Sequence, residues 1–368
     1  MNLKKKILIS GYYGFDNSGD DAILKAIVKD LKEKNDNIEI VAFSNNPSNT
    51  EKNYGIKAVN RFRMKNVLEE VRTCDLLISG GGSLLQDVTS TRSIVYYLAL
   101  MNIAKFFKKP VMVYANGIGP INKKYNRLFT KKILNKVDLI TLRDYDSKKF
   151  VEGLGVENPN IVVTADPVFT LSPSSKDRIK EIFKTENIPF DKPLVGISLR
   201  KWKDSKRLID IIPKAIDYII SNYNANVVFI PMHYPEDLKI SEEIMDKVTR
   251  EGCYILKDKY CVEDIMGIIR ELEMIIAMRL HSLIYAATQG TPMLGIVYDP
   301  KIEGFLNFID MDLKCNVEDL ELIELCTYTE KMWKNRKYLR EKLLKYDVTL
   351  KEKALQNIDM ALGLLKRG

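Results

Sequence analysis

The sequence predicts an α/β protein of two Rossmann-like domains facing across a cleft, with C-terminal helices packing back on the first domain. Three observations predict it. Apolar runs of strand length alternate with helical periodicity from the first residues onward, the mark of a parallel sheet with crossover helices. The alternation is interrupted once, by a Pro- and Ser-containing stretch at 171–192, and then resumes. The length, 368 residues, exceeds what a single hydrophobic core usually fills.

Taken in order, Lys6-Ile7-Leu8-Ile9-Ser10 is the first strand, and 20–34 follows as a helix with Ile23, Ile27 and Leu31 on one face. Strands at 38–43, 75–79, 110–115, 138–142 and 161–164, with helices at 64–72, 91–107, 124–136 and 145–153, complete a first domain taken as 1–172. A charged helix at 176–184 lies in the expected linker. Strands at 193–199, 226–231, 253–256, 273–277 and 292–297 alternate with helices at 208–222, 235–249, 262–270 and 281–289, a second domain spanning 190–326. In the tail, 327–368, Trp333, Leu339, Leu343, Leu344, Leu350, Leu355, Ile358 and Leu362 recur at helical intervals, which reads as two amphipathic helices returning to the first domain. Their basic outer faces are read as solvated, with a membrane-surface patch as the alternative.

Composition narrows the function. Lys and Arg exceed Asp and Glu by 57 − 49 = 8, which favours anionic substrates, but no basic stripe interleaved with an aromatic-glycine module points to nucleic acid. Cys74, Cys253, Cys261, Cys315 and Cys326 are scattered and form no C-x-x-C pair, so neither a disulfide framework nor a zinc knuckle is encoded. No other carboxylate or histidine cluster has metal-ligand spacing, and metal independence is expected. The basic residues of 1–6 precede only four residues of strand before Gly11, too short for a signal peptide or a membrane span, so a cytoplasmic location is expected.

In open α/β sheets ligands bind beyond the carboxyl ends of the strands, so those loops carry the candidates. The first strand runs into a loop at 11–20 with three glycines. It lacks the G-x-G-x-x-G spacing, and no acid ends the second strand, where Phe43 meets Ser44 and Asn45, so a dinucleotide site is disfavoured. Asn17 and Asp20 are either ligand contacts or the cap and first-turn acid of the helix. The strand at 75–79 empties into Gly80-Gly81-Gly82-Ser83, with Gln86 close behind. Consecutive backbone N–H groups there suit an oxyanion or a sugar hydroxyl, unless the glycines serve only a tight strand-to-helix turn. No Walker lysine follows, which excludes a P-loop triphosphatase. Asn116 and Gly117 open a third glycine loop, and Arg143 ends a fourth strand.

In the second domain Arg200 ends the strand at 193–199. Met278-Arg279-Leu280-His281-Ser282 turns a strand into a helix, and alternation across the turn is expected to send Arg279 and His281 to the same side. Histidine gains and loses a proton near neutrality, which makes His281 a candidate acid and base at that helix start. A capping or packing role is the plain alternative. His233 also ends a strand and reads as a surface loop residue. Lys301 follows the last strand in Tyr298-Asp299-Pro300-Lys301.

Taken together, the loop at 11–20 with Asp21-Ala22-Ile23-Leu24, the segments 79–87 and 117–120, Arg143-Asp144, Asp166-Pro167, Arg279-Leu280-His281 and 298–301 resemble the polysaccharide pyruvyl transferases, most closely those acting on bacterial cell-wall polysaccharides. The resemblance spans nearly the whole chain. Asn116 departs from it, standing where the family commonly has glutamine, and bears on the acceptor rather than the reaction. The resemblance implies a GT-B fold and transfer of the carboxyethylidene group of phosphoenolpyruvate onto two sugar hydroxyls as a cyclic ketal, with no cofactor besides that donor. It also implies a donor site of Arg143, Arg279, His281 and Lys301, with Arg200 added from its position. Asn17, Asp20, Gly80, Gly81, Gly82, Ser83, Gln86, Asn116, Gly117 and Ser282 are then the substrate-binding candidates. The implied acceptor is a lipid-linked amino-sugar disaccharide of a secondary cell-wall polysaccharide that anchors a surface layer, which brings the protein to the inner membrane face. A sugar-nucleotide glycosyltransferase on the same fold and a non-catalytic carbohydrate-binding protein are the rival readings.

Overall fold

The structure, a computed structural model, describes residues 4–88, 90–203 and 205–367; the first three residues of the basic N-terminus lie outside that range. The chain divides into two compact units, Met1–Thr170 with Leu350–Gly368, and Leu171–Thr349.

In the first unit the elements are β1 (Lys5–Tyr13), α1 (Ser18–Lys34), β2 (Ile38–Ser44), α2 (Pro47–Tyr54), β3 (Lys57–Asn60), α3 (Met64–Thr73), β4 (Leu76–Gly80), α4 (Thr91–Phe106), β5 (Val111–Asn116), α5 (Lys124–Leu134), β6 (Leu139–Leu142), α6 (Tyr145–Gly153) and β7 (Ile161–Val163). The strands form one parallel sheet in the order β3-β2-β1-β4-β5-β6-β7. Its order reverses between β1 and β4, the switch point at which such sheets open a crevice. Both of those strands are almost wholly buried, as their unbroken apolar runs require when helices cover each face. Leu8, Val41, Leu77, Val113 and Ile140, one from each central strand, pack into a single core with α3, α4 and α5.

The second unit continues with α7 (Lys176–Thr185), β8 (Leu194–Ser198), α8 (Lys206–Tyr223), β9 (Asn226–Phe229), α9 (Glu236–Met245), β10 (Cys253–Ile255), α10 (Val262–Arg270), β11 (Met274–Ala277), α11 (Leu280–Gln289), β12 (Met293–Val297), α12 (Pro300–Phe308), β13 (Lys314–Asn316) and the start of α13 (Leu322–Arg367). Its parallel sheet runs β10-β9-β8-β11-β12-β13, reversing between β8 and β11.

Two expectations need correction. The stretch at 171–192 is part of the second unit: Ser174 Oγ donates to Asp264 at 2.6 Å, and α7 lies so close to α10 that a Cβ on Gly267 would come 2.6 Å from Ile179 Cδ1. Its Pro and Ser residues cap and enter a packed helix. The tail is one helix of 46 residues, not two. No Gly or Pro interrupts it before Gly363, so nothing in the backbone forces a break, and its last part, from Leu350, belongs to the first unit. There Asn357 Oδ1 accepts from Thr164 Oγ1 at 2.8 Å, beyond the end of β7. The sequence reading also missed α2, β3, α12 and β13.

Asp30, on the buried face of α1, anchors the turn after β7 by accepting from Thr170 Oγ1 at 2.9 Å; its other oxygen has no hydrogen-bond partner among the described residues. Burial pushes its carboxyl up to about 6, against the opposing hydrogen bond from Thr170 and the charge of Lys29. The folded chain therefore holds this proton more tightly than the unfolded chain, so stability falls as pH rises from about 4 through about 6, a deficit of up to about 3 kcal/mol at neutral pH. Asp30→Asn is expected to raise the urea midpoint of unfolding relative to wild type more at about pH 7.5 than at about pH 5. An offset equal at both values would show that the carboxyl does not titrate in this window.

Candidate active site

The strand-end loops of the first unit are stitched into one surface. Gly117 N donates to Gly82 O at 3.0 Å and Gly119 N to Leu85 O at 2.9 Å, which ties the loop after β5 to the loop after β4. Arg143, at the end of β6, is buried; its Nη1 donates to Asp166 Oδ2 at 2.9 Å and its Nη2 to Ser83 Oγ at 3.1 Å. Gly117 makes room for this, since a Cβ there would lie 2.9 Å from Arg143 Nη2. With Asp166 also buried, removing either partner would strand a charge, so the pair braces the loops after β4, β6 and β7. Two nitrogens of the Arg143 guanidinium are thus engaged by a carboxylate and a hydroxyl of the protein.

Other candidates are drawn inward as well. Asn116 is fully buried, and its amide donates to Ser79 O at 2.9 Å and Tyr114 O at 3.2 Å, holding β4 to β5. Gly80, Gly81 and Gly82 are buried beneath α1. Gly82, at φ +55, allows the Asp20 carboxylate to close on the backbone, since a Cβ there would meet Asp20 Oδ1 at 2.9 Å. Close packing alone accounts for these three glycines. Asn17 is the N-cap of α1, accepting from Gly19 N at 3.1 Å, and Gln86 accepts from Val88 N at 2.8 Å. Ser83, Gln86, Asn17 and Asp20 keep partial exposure.

Arg61, just beyond β3, was not singled out from the sequence. Its guanidinium is buried over the faces of Tyr96 at 4.5 Å and Phe15 at 5.4 Å, and Nη1 donates to Gly11 O at 3.1 Å. Aromatic faces thus hold a cation at the switch point of the first sheet. Phe15 in turn stacks on Tyr12 at 4.1 Å, and both rings are half-buried.

At the strand ends of the second unit, Arg279 caps α11 and sets Nε 2.9 Å from Asp237 Oδ2, with Nη2 on the other oxygen. Asp237 is fully buried and also accepts from the backbone N–H groups of Met232 and His233 at 3.1 and 3.0 Å. One carboxylate therefore fixes the loop after β9 and the guanidinium after β11. Asp237 gave no sequence signal, because an acid in the first turn of a helix is commonplace. Ser282 is fully buried with its Oγ 2.7 Å from Ser198 Oγ, so it ties α11 to β8 and offers no hydroxyl to a ligand. His281 stands between these two fixed residues in the first turn of α11, half-buried, its ring 6.3 Å from that of Tyr285.

Arg200 and Lys301 meet at one ring. Arg200 Nη1 donates to Tyr298 Oη at 2.8 Å with its guanidinium carbon 4.7 Å from the ring centroid, and Lys301 Nζ lies 6.0 Å from the same centroid. Asp299 caps α12 and sits 3.4 Å from Lys301 Nζ. Since β8 and β12 flank β11, the Arg200 and Lys301 strand ends bracket that of Arg279 and His281. His233 lies over Glu236 at 3.4 Å, a local surface pair. Among the described residues no three His, Cys, Asp or Glu side chains are grouped as metal ligands.

The sequence model of a family described as Polysaccharide pyruvyl transferase matches residues 17–300, from the cap of α1 to the first residue of α12. The chain belongs to this family. It is a pyruvyltransferase enzyme acting in polysaccharide biosynthesis. The amylovoran biosynthesis protein AmsJ of Erwinia amylovora is 21% identical, the match covering 86% of this chain and 89% of AmsJ. Solved structures similar to this pyruvyltransferase include the UDP-GlcNAc 2-epimerase of Neisseria meningitidis bound to UDP-GlcNAc (TM-score 0.69, 12% identity, 99% of this chain and 100% of that one). The Anabaena protein Alr3699/HepE in complex with UDP-glucose is similar too (0.67, 12%, 99% and 100%), as is a glycosyltransferase of Rickettsia africae (0.67, 11%, 100% and 100%). At such identity these neighbours establish the GT-B-like fold of the pyruvyltransferase and nothing of its substrates.

Proposed function

We propose that this pyruvyltransferase takes phosphoenolpyruvate as donor and builds a cyclic ketal on two hydroxyls of a cell-wall glycan sugar, carried as a lipid-linked amino-sugar disaccharide at the inner face of the membrane, without a metal. The reading is supported chiefly by one observation: Arg200 and Lys301 gather at Tyr298 on strand ends that flank the one carrying Arg279 and His281. A trianion with separate carboxylate and phosphate groups suits such a set, the planar guanidinium binding directionally and the lysine acting as a point charge. Arg143 and Asn116 hold the loops of the first unit in place. Ser83, Asn17, Asp20 and the half-buried rings of Tyr12 and Phe15 line the acceptor.

In this reading His281 gives its proton to the methylene carbon of the donor, and the carbon bearing the phosphate becomes cationic. An acceptor hydroxyl adds there, forming a C–O bond and returning its proton to the imidazole. The bond to the phosphate oxygen then breaks, with Lys301 and Arg200 stabilising the charge that departs. The second hydroxyl closes the ring, and its proton leaves on the phosphate. Carboxylate, ketal and hydrogen phosphate account for every atom of both substrates.

The test supplies phosphoenolpyruvate with a panel of lipid-linked and synthetic glycosides. The expected result is phosphate release that requires the glycan, with a product heavier by one carboxyethylidene group. Glycan transfer from a sugar nucleotide with release of a nucleoside diphosphate, or phosphate release indifferent to glycan, would overturn the reading.

A further inference from the structure

Between Asp87 and Asp138 lie fifty residues, 88–137, without a single carboxylate side chain, and ten of them are Lys or Arg. This stretch forms α4 and α5, and α3 packs beside α4. Several outward positions of these helices carry large apolar side chains where a solvated helix would be polar throughout. On α4, Val95 and Phe106 are exposed, Phe106 by 79%; on α5, Tyr125 and Leu128 are exposed by 58% and 69%. Phe62, Met64 and Leu68 continue the exposure at α3. Cations are interleaved throughout: Arg63, Lys65, Arg92, Lys124 and Lys132 are exposed and form no ion pair among the described residues. Of the two acids on α3, Glu70 is buried and already neutralised, by Lys57 at 2.6 Å and Lys6 at 3.0 Å, which leaves Glu69 as an exposed carboxylate among these cations.

We infer that the face formed by α3, α4 and α5 docks on an anionic phospholipid surface, its apolar side chains entering the headgroup boundary and its lysines and arginines meeting lipid phosphates. Charge complementarity selects this occupant. A second copy of the chain would oppose cations to cations, which disfavours a symmetric dimer. A nucleic acid would answer the charge but leave Leu128, Phe106, Val95 and Met64 without an apolar partner, whereas interfacial helices pair just such a basic rim with apolar side chains. The inference deepens the reading of a lipid-linked acceptor and rests on it only for its purpose.

The full chain, without either substrate, is floated with phosphatidylcholine vesicles and with vesicles containing phosphatidylglycerol. Binding is expected only to the second, weakening as salt rises. Lys124→Glu with Lys132→Glu should lower vesicle affinity by roughly a hundredfold, and Phe106→Ser with Leu128→Ser by about tenfold or more, each leaving transfer to a soluble glycoside at wild-type rate. Equal affinity for both vesicles, no binding to either, wild-type affinity in the two variants, which would shift the contact to the basic terminal helix, or displacement from vesicles into an RNA complex would each overturn the inference. Failure of the acceptor reading would instead leave vesicle binding intact and abolish transfer to every lipid-linked glycan.

Discussion

Replacing His281 with alanine is expected to lower the turnover of pyruvyl transfer by roughly a hundredfold to ten-thousandfold, with little change in the affinity for phosphoenolpyruvate. The turn that carries the imidazole is held by its surroundings. Arg279 before it is tied to Asp237, Ser282 after it to Ser198, and both partners are fully buried, so the first turn of α11 has little freedom to shift. Carbon protonation is the difficult step of the proposed reaction, and a positioned acid acts only in that transition state, so the loss should fall on kcat rather than on KM. Adding imidazole to the alanine variant should restore part of the rate. Wild-type turnover in His281→Ala, or an equal loss of donor affinity and rate that imidazole does not relieve, would remove the residue from the role of acid.

Much of this arrangement was legible before any coordinates. Buried parallel strands announce themselves as apolar runs, so β1, β4, β5, β8, β11 and β12, which carry nearly every candidate, were placed to within a few residues. Of the four edge strands, β7 and β10 were placed equally well, but β3 and β13 were not: β3 is Lys-Ala-Val-Asn and β13 Lys-Cys-Asn, too short and too polar to stand out from a turn. Strand-end position marked Arg143, Arg200 and Arg279 while concealing their partners within the protein. Sequence spacing gives no sign that Arg143 is spent on Asp166 and Ser83, because those partners come from different strand ends 23 and 60 residues away. The same blindness hid Asp237, which meets Arg279 across 42 residues, and Arg61, whose aromatic surroundings come from separate elements. Glycine loops were legible as turns, but whether their N–H groups face a ligand or a packed helix depends on Ile23 and Asp20 of α1.

Arg279→Ala is expected to be the most damaging single change to the second unit, lowering stability by about 3 to 5 kcal/mol as well as abolishing activity. The reason lies in its partner. Asp237 has no exposed surface, and without the guanidinium its charge would keep only the backbone N–H groups of Met232 and His233. Activity loss in that variant alone would say nothing about donor binding, since a disordered loop after β9 would suffice. The double variant Arg279→Met with Asp237→Asn separates the two contributions. An asparagine oxygen can still accept from both N–H groups, no charge is buried, and the methionine refills the space, so most of the lost stability should return in urea unfolding. If the guanidinium also contacts the donor, phosphoenolpyruvate affinity and turnover stay depressed in this refolded background. Recovery of wild-type kinetics along with stability would reduce Arg279 to a brace and leave Arg200 and Lys301 as the anion-binding cations. If stability does not recover, the pairing with Asp237 is not what the arginine contributes to the fold.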